Sequence, residues 1–349
     1  MNVRYRRYSI KRFIALLFFF VPQLSWSLPA FTAATPIKLV IGYASTSPRV
    51  IPLWTAQEQG FFAKYGIESE PVLVRGGTTL VTGLAAGDVQ IGRTAGAAIL
   101  AAVSAGHDLK MLATFSSRNS YDVVVRPNIK RAEDLRGKRI AINSVGGGTW
   151  MGAMLWLEHF GLDPQRDQIL LQSVGDQGVQ AQAVDSGAVD VALVDSVYSK
   201  ALKQRGLTIL ADYSELKQPL VSQSTVVPRA FLQQRPDAVE GYLKAEIEAV
   251  AFAVAPKNKP AVIKMLMRRL RTDAAGAEDG YVDLLRGVDR KPLASLEGMR
   301  NLQRLLKLRN PKIGELKLED VVDNRIMRKL DESGFIERAY AAQGASLNK

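Results

Sequence analysis

The chain has 349 residues, with 46 lysines and arginines against 34 aspartates and glutamates, two histidines and no cysteine. Without cysteine there is no disulfide, thiol nucleophile, thiolate metal site or lipid attachment through an N-terminal cysteine, and two histidines leave little from which to build a zinc centre. The formal charge of +12 is not accompanied by an aromatic-interleaved basic motif for nucleic acid or by any motif for a cofactor.

The first residues set the compartment. Arg4, Arg6, Arg7, Lys11 and Arg12 make a basic start without an acid, followed by an apolar run over 13–21 (FIALLFFFV) and a softer stretch rich in small residues. These are the parts of a secretory signal peptide, here assigned to residues 1–34. The run is shorter than the roughly 20 residues that span a bilayer, and Ser27, Ala30, Ala33 and Ala34 each offer a cleavage point. The product expected is a periplasmic, soluble protein without a lipid anchor. The five positive charges of the leader leave +7 of the +12 to the remainder, which fits an acidic small ligand or a charged partner.

From Ile37 to about Asp212, short β-branched runs alternate with longer amphipathic stretches, the α/β pattern. Strands are predicted over 37–43, 68–74, 89–92, 109–115 and 121–125, with helices over 51–64, 79–86 and 96–105. The pattern then starts again: strands over 138–143, 169–174 and 189–194, with helices over 149–160 and 179–186. At an offset of 100 residues, Gly87 falls on Gly187, Val89 on Val189 and Ile91 on Val191. A glycine that ends a helix and feeds a buried strand in both halves points to two lobes built alike. Crossings between lobes are placed at 126–130 (RPNIK) and 213–223, so that 36–125 and 223–349 form the first lobe, the latter ending in helices, and 128–212 the second.

In open α/β lobes, ligands sit beyond the carboxyl ends of the strands, at helix N-termini. Four such places are rich in small and hydroxyl residues: Ser45 and Thr46 after the first strand, Gly77, Thr78 and Thr79 after the second, Thr94 and Ala95 after the third, and Gly147 and Thr149 after the first strand of the second lobe. Small residues let a ligand approach the backbone, and free N–H groups at a helix start favour negative charge. Each threonine also has an ordinary use as a helix cap. Asp195 follows the last second-lobe strand toward the cleft, whereas Asp190 lies within its strand as a cap or pin. Trp54 and Trp150 are open to ligand stacking or core packing, Arg118 and Tyr121 to a cleft or a surface role, and His107 and His159 are read as surface or structural residues. The glycines of SVGGGT lack GxGxxG spacing, and neither GxxxxGK[ST] nor GxSxG occurs. No catalytic residues are assigned.

The stretches IPLWTAQEQGFFAKYGIESEPVLVRGGTTL, RAEDLRGKRIAINSVGGGTW and VQAQAVDSGAVDVALVDSVY resemble the nitrate, sulfonate and taurine type of periplasmic substrate-binding protein. The resemblance implies a two-lobed periplasmic binding protein fold of type II with two crossovers, no enzymatic activity, and delivery of a small, anionic or sulfonate-like solute to the permease subunits of an ABC importer by a monomer. It places ligand contacts at Ser45, Thr46, Gly77, Thr78, Thr94, Ala95, Gly147, Thr149, Gln177 and Asp195. Many members carry Trp-Glu-Pro where this chain has Asp195, Ser196 and Val197, a change that suits a solute with a donor such as an amine. Other readings are a pyrimidine or thiamine-precursor binder, or a ligand-sensing subunit of a membrane receptor.

Overall fold

The structure, a computed structural model, describes Met1 and residues 35–118, 121–212 and 215–347. The predicted leader lies outside the described residues, apart from Met1, and residues 35–349 form a unit of their own. No helix among the described residues is long and apolar enough to cross a membrane.

Two five-stranded sheets form the two lobes. The first contains β1 (Ile37–Tyr43), β2 (Ile67–Leu73), β3 (Ile91–Thr94), β4 (Leu109–Ser116) and β10 (Gln223–Pro228), in the order β2-β1-β3-β10-β4. The second contains β5 (Asp122–Val125), β6 (Arg139–Ile142), β7 (Leu170–Ser173), β8 (Val191–Val194) and β9 (Thr208–Ala211), in the order β7-β6-β8-β5-β9. Each sheet therefore has three parallel strands and one strand inserted antiparallel beside the third, β10 in one and β5 in the other. Strands β3, β4, β5 and β8 are buried along their whole length, as expected where helices cover both faces.

The repeat at 100 residues is structural. Helix α3 (Gly77–Ala86) ends at Gly87 with φ 85°, and α6 (Gln177–Ser186) at Gly187 with φ 82°, the left-handed conformation that glycine adopts without a Cβ clash. Gln90 then accepts from Val40 N and Asp190 accepts from Arg139 N, each at 2.9 Å, tying the start of the third strand to the first. Asp190 also takes the Arg139 guanidinium, so it pins its strand and does not face the cleft. After the third strands come α4 (Gly96–Ser104) and α7 (Ser196–Gln204), again 100 residues apart.

Two expectations change. The helix predicted over 51–64 is two helices, α1 (Ile51–Glu58) and α2 (Phe61–Lys64), because Gly60 turns left-handed at φ 72°. The first crossing precedes β5 and does not lie at 126–130, since β5 pairs with β8 and β9 of the second sheet. Strand periodicity shows that 122–125 is a buried strand but carries no information on which sheet receives it.

Beyond β10 the chain is helical. The short α8 (Arg229–Gln234) leads into the long α9 (Pro236–Val254), which packs on α1 and is followed by α10 (Lys259–Leu270), α11 (Ala274–Gly287) and α12 (Leu296–Leu306). Helix α11 packs against α10, against α7 of the second lobe, and against the turn Pro48–Val50 ahead of α1. The C-terminal segment thus reaches over to the opposite lobe. Glu246 of α9 is fully buried and pairs with the equally buried guanidinium of Arg93 in β3, which also lies 4.3 Å from the centre of the Phe115 ring.

Candidate functional site

Five of the helices that follow parallel strands begin at the seam between the lobes: α3 and α4 of the first lobe, and α5 (Gly148–His159), α6 and α7 of the second. Their starts meet across the seam. Thr78 of α3 donates to the Val145 carbonyl at 3.2 Å and lies 3.3 Å from the Ser144 hydroxyl. The Arg75 guanidinium donates to Asp176 at 3.2 Å. Glycines allow these approaches: a Cβ on Gly77 would lie 2.6 Å from the Thr94 hydroxyl, and one on Gly148 2.8 Å from the Tyr121 hydroxyl.

A buried polar cluster occupies the centre of the seam. Arg49, in the turn after β1, donates through Nη1 to Asp195 Oδ1 and through Nη2 to the Tyr121 hydroxyl, both at 2.9 Å. Its guanidinium carbon lies 4.4 Å from the centre of the Tyr121 ring. Asp195 is 1% exposed; its second carboxylate oxygen accepts from Gln177 Nε2 at 2.7 Å, and its backbone N–H donates to Gln177 Oε1 at 2.6 Å. Tyr121 is held from behind by Trp156, whose indole donates to the Tyr121 carbonyl at 3.0 Å. Burial works against charge on Arg49, but Asp195, Tyr121 and Asp283 outweigh it and hold the guanidinium cationic. Burial pushes the Tyr121 phenol up, so its hydroxyl stays neutral as it accepts from Arg49.

The guanidinium is positioned from the first-lobe core. Arg93 reaches the Arg49 carbonyl oxygen at 3.4 Å while paired with Glu246. A small pocket of about 20 Å³ adjoins Arg49 and Asp195, lined also by Phe115, Ser116, Asp283 and Leu284. Ser47, Thr94 and Ser116 bury hydroxyls without a protein partner in this region.

Of the residues named from the sequence, Gln177 and Asp195 form the centre together with Arg49. Ser45 and Thr46 are half-buried in the turn between β1 and Arg49. Gly77, Thr78, Thr94 and Ala95 line the first-lobe face and Gly147 the second. A Cβ on Gly147 would sit 2.4 Å from Asn143 Oδ1, so this glycine serves a tight turn. Thr149 is turned into its own lobe: its hydroxyl donates to Asn143 Oδ1 at 2.9 Å and accepts from Asn143 N at 2.7 Å and from Gln180 at 3.2 Å. Thr149→Val is therefore expected to cost about 1–3 kcal/mol of stability by stranding buried partners, read by denaturant unfolding. Trp54 and Trp150 are core residues, 1% and 2% exposed, and Arg118 is exposed.

Arg49 was not singled out by sequence reasoning. Its available signal was its position in the strand-to-helix turn STSPRV, at the carboxyl end of β1. Among the described residues no group of three or more His, Asp or Glu side chains could hold a metal ion.

Comparison with known proteins agrees with this architecture. A family model described as "NMT1/THI5 like" matches residues 47–259. The taurine-binding periplasmic protein of Escherichia coli K12 is 28% identical over 221 residues, 62% of this chain and 66% of that protein; the match thus spans just under two thirds of the relative. Among solved structures, a protein of Bordetella bronchiseptica RB50 superposes with a TM-score of 0.73 at 19% identity, covering 85% of this chain and 97% of the other. The alkanesulfonate-binding protein SsuA of Xanthomonas axonopodis pv. citri, solved bound to MOPS, gives 0.67 at 20% identity, covering 84% and 100%. At these identities the structural likeness establishes a shared fold.

Proposed function

Because the chain belongs to the NMT1/THI5-like family, we infer that it is the solute-binding component of an ABC importer: a non-catalytic protein that captures a small anionic, sulfonate-like solute and hands it on unchanged. The observation that carries this reading is the convergence of five helix N-termini on one seam with a cationic Arg49, its side chain 10% exposed, at its centre. Helix N-termini present unpaired N–H groups and the positive end of the helix dipole, and a guanidinium matches a planar or tetrahedral oxyanion. The match to a taurine-binding periplasmic protein supports a sulfonate as the solute class.

In this reading Arg49, Ser45, Thr46, Gly77, Thr78, Ala95, Gly147, Gln177 and Asp195 bound the solute, and Thr149 supports the wall from behind. The protein acts in the periplasm, delivered there by its leader, and docks as a monomer on permease subunits in the inner membrane. Asp195 beside Arg49 adds a narrower reading, a solute that carries both an anionic group and a hydrogen-bond donor such as an amine.

A thermal-shift series tests both. A ligand that binds only the folded protein at 100 times its Kd adds about 2.7 kcal/mol of stability, so taurine, ethanesulfonate, nitrate and an unrelated pyrimidine are compared at equal concentration. A rise with the sulfonates alone supports the reading, and a larger rise with taurine than with ethanesulfonate supports the narrower one. A rise confined to the pyrimidine overturns the sulfonate assignment.

A further inference from the structure

Three carboxylates, Asp195, Asp122 and Asp283, cluster near the centre of the seam, where Arg49 sits. Asp195 takes Arg49 and Gln177, and Asp122 of β5 takes the Ser199 hydroxyl of α7. Asp283 of α11 forms no ion pair among the described residues, although its charge favours the cationic form of Arg49; it accepts from the backbone N–H of Ser196, the first residue of α7, at 3.1 Å. The two helices meet closely here, since a Cβ on Gly280 would lie 3.1 Å from Val197 of α7 and 3.3 Å from Pro48 of the first-lobe turn. Asp283 thus joins the C-terminal segment to the start of a second-lobe helix, in a cluster where carboxylates outnumber the one nearby guanidinium.

We propose that Asp283 is a latch between the C-terminal helices and the second lobe, one whose hold strengthens as the medium acidifies. The charged groups packed around it are otherwise engaged. Arg49 is bonded to Asp195, Lys200 of α7 to Asp279 of α11, and Lys259 of α10 to Glu278 of α11; Arg286, one turn farther along α11, is exposed.

Burial, and after it the charges of Asp195 and Asp122, push the Asp283 carboxyl up to about 7, against the hydrogen bonds from Ser196. When α7 moves away from α11, the carboxyl returns to water and to the ordinary range of about 3.9. Docking the lobes therefore takes up a proton between about pH 4 and pH 7. The penalty for docking is full above pH 7, falls as pH drops through 7, and is gone below about 4. The inference concerns the equilibrium between lobes and stands whichever solute the seam accepts.

The absence of cysteine makes the test direct. Nitroxides on Thr82→Cys in α3 and Lys203→Cys in α7 report the interlobe distance by pulsed electron paramagnetic resonance, with no ligand added. The short-distance population is expected to gain about tenfold or more in its equilibrium constant at pH 5 relative to pH 8. In Asp283→Asn the two distributions coincide and the short distance dominates at both pH values, while Lys200→Gln, which removes only the neighbouring surface pair, keeps the pH response. A wild-type distribution that does not change with pH, or an Asp283→Asn variant that responds as the wild type does, overturns the proposal.

Discussion

Arg49→Met is expected to weaken capture of a sulfonate by about 3 kcal/mol, roughly a hundredfold in Kd. The guanidinium is the cation held at the centre of the seam, and methionine keeps much of its apolar stem while removing every donor. The variant also leaves Asp195 buried with Gln177 as its remaining named partner, so part of any loss arises from an uncompensated carboxylate rather than from a missing ligand contact. The double variant Arg49→Met, Asp195→Asn separates the two effects. It is expected to regain the stability lost in the single variant, measured by denaturant unfolding, without regaining affinity, measured by titration calorimetry with the sulfonate that gave the largest thermal shift. If affinity returns with stability, Arg49 does not touch the solute, and the site assignment fails with it.

Glu246→Ala is expected to destabilise the protein by about 3–5 kcal/mol, the cost of leaving Arg93 charged and unpaired in the first-lobe core. The pair lies between β3 and α9, with both side chains fully buried. Burial pushes the Glu246 carboxyl up, while Arg93, and the Tyr242 hydroxyl beside it, pull it back. A buried pair of this kind is costly to break and inexpensive to replace as a whole. Arg93→Met combined with Glu246→Leu should therefore recover most of the lost stability. It should not recover ligand affinity, because Arg93 also donates to the carbonyl of Arg49 and so positions the turn that carries the central guanidinium. Unfolding midpoints and titration isotherms on the two variants check both halves. Affinity fully restored in the double variant would reduce the pair to a role in packing.

These two pairs show where reading along the chain stops. Arg49 and Asp195 are 146 residues apart, and Arg93 and Glu246 are 153 apart. Nothing in STSPRV marks its arginine as the one that crosses the seam, and AGAEDGYVDLL looks like any amphipathic helix until Asp283 is found against the start of α7. A charged side chain on a periodic segment is most often a solvated one, and only its neighbours in space show whether it is paired, buried or stranded. Thr149 illustrates the converse. Its place after a glycine run marked it as a ligand contact, but the same short hydroxyl reaches Asn143 and Gln180 of its own lobe.

What the sequence determined by itself is the frame: two α/β lobes in succession, the repeat at 100 residues with Gly87 and Gly187 closing equivalent helices, the strand ends at which polar helix starts cluster, and the helical C-terminal segment. Each of these is written in periodicity and in backbone requirements that act over a few residues, which is why they are legible without neighbours. The tertiary structure decided the rest: that β5 joins the second sheet, that Arg49 meets Asp195 across the seam, that Arg93 supports it from the core, and that Asp283 ties the last helices to the opposite lobe. Those outcomes depend on burial and on charges brought together from distant parts of the chain, and desolvation, which sets both their cost and their use, exists only once the lobes have packed.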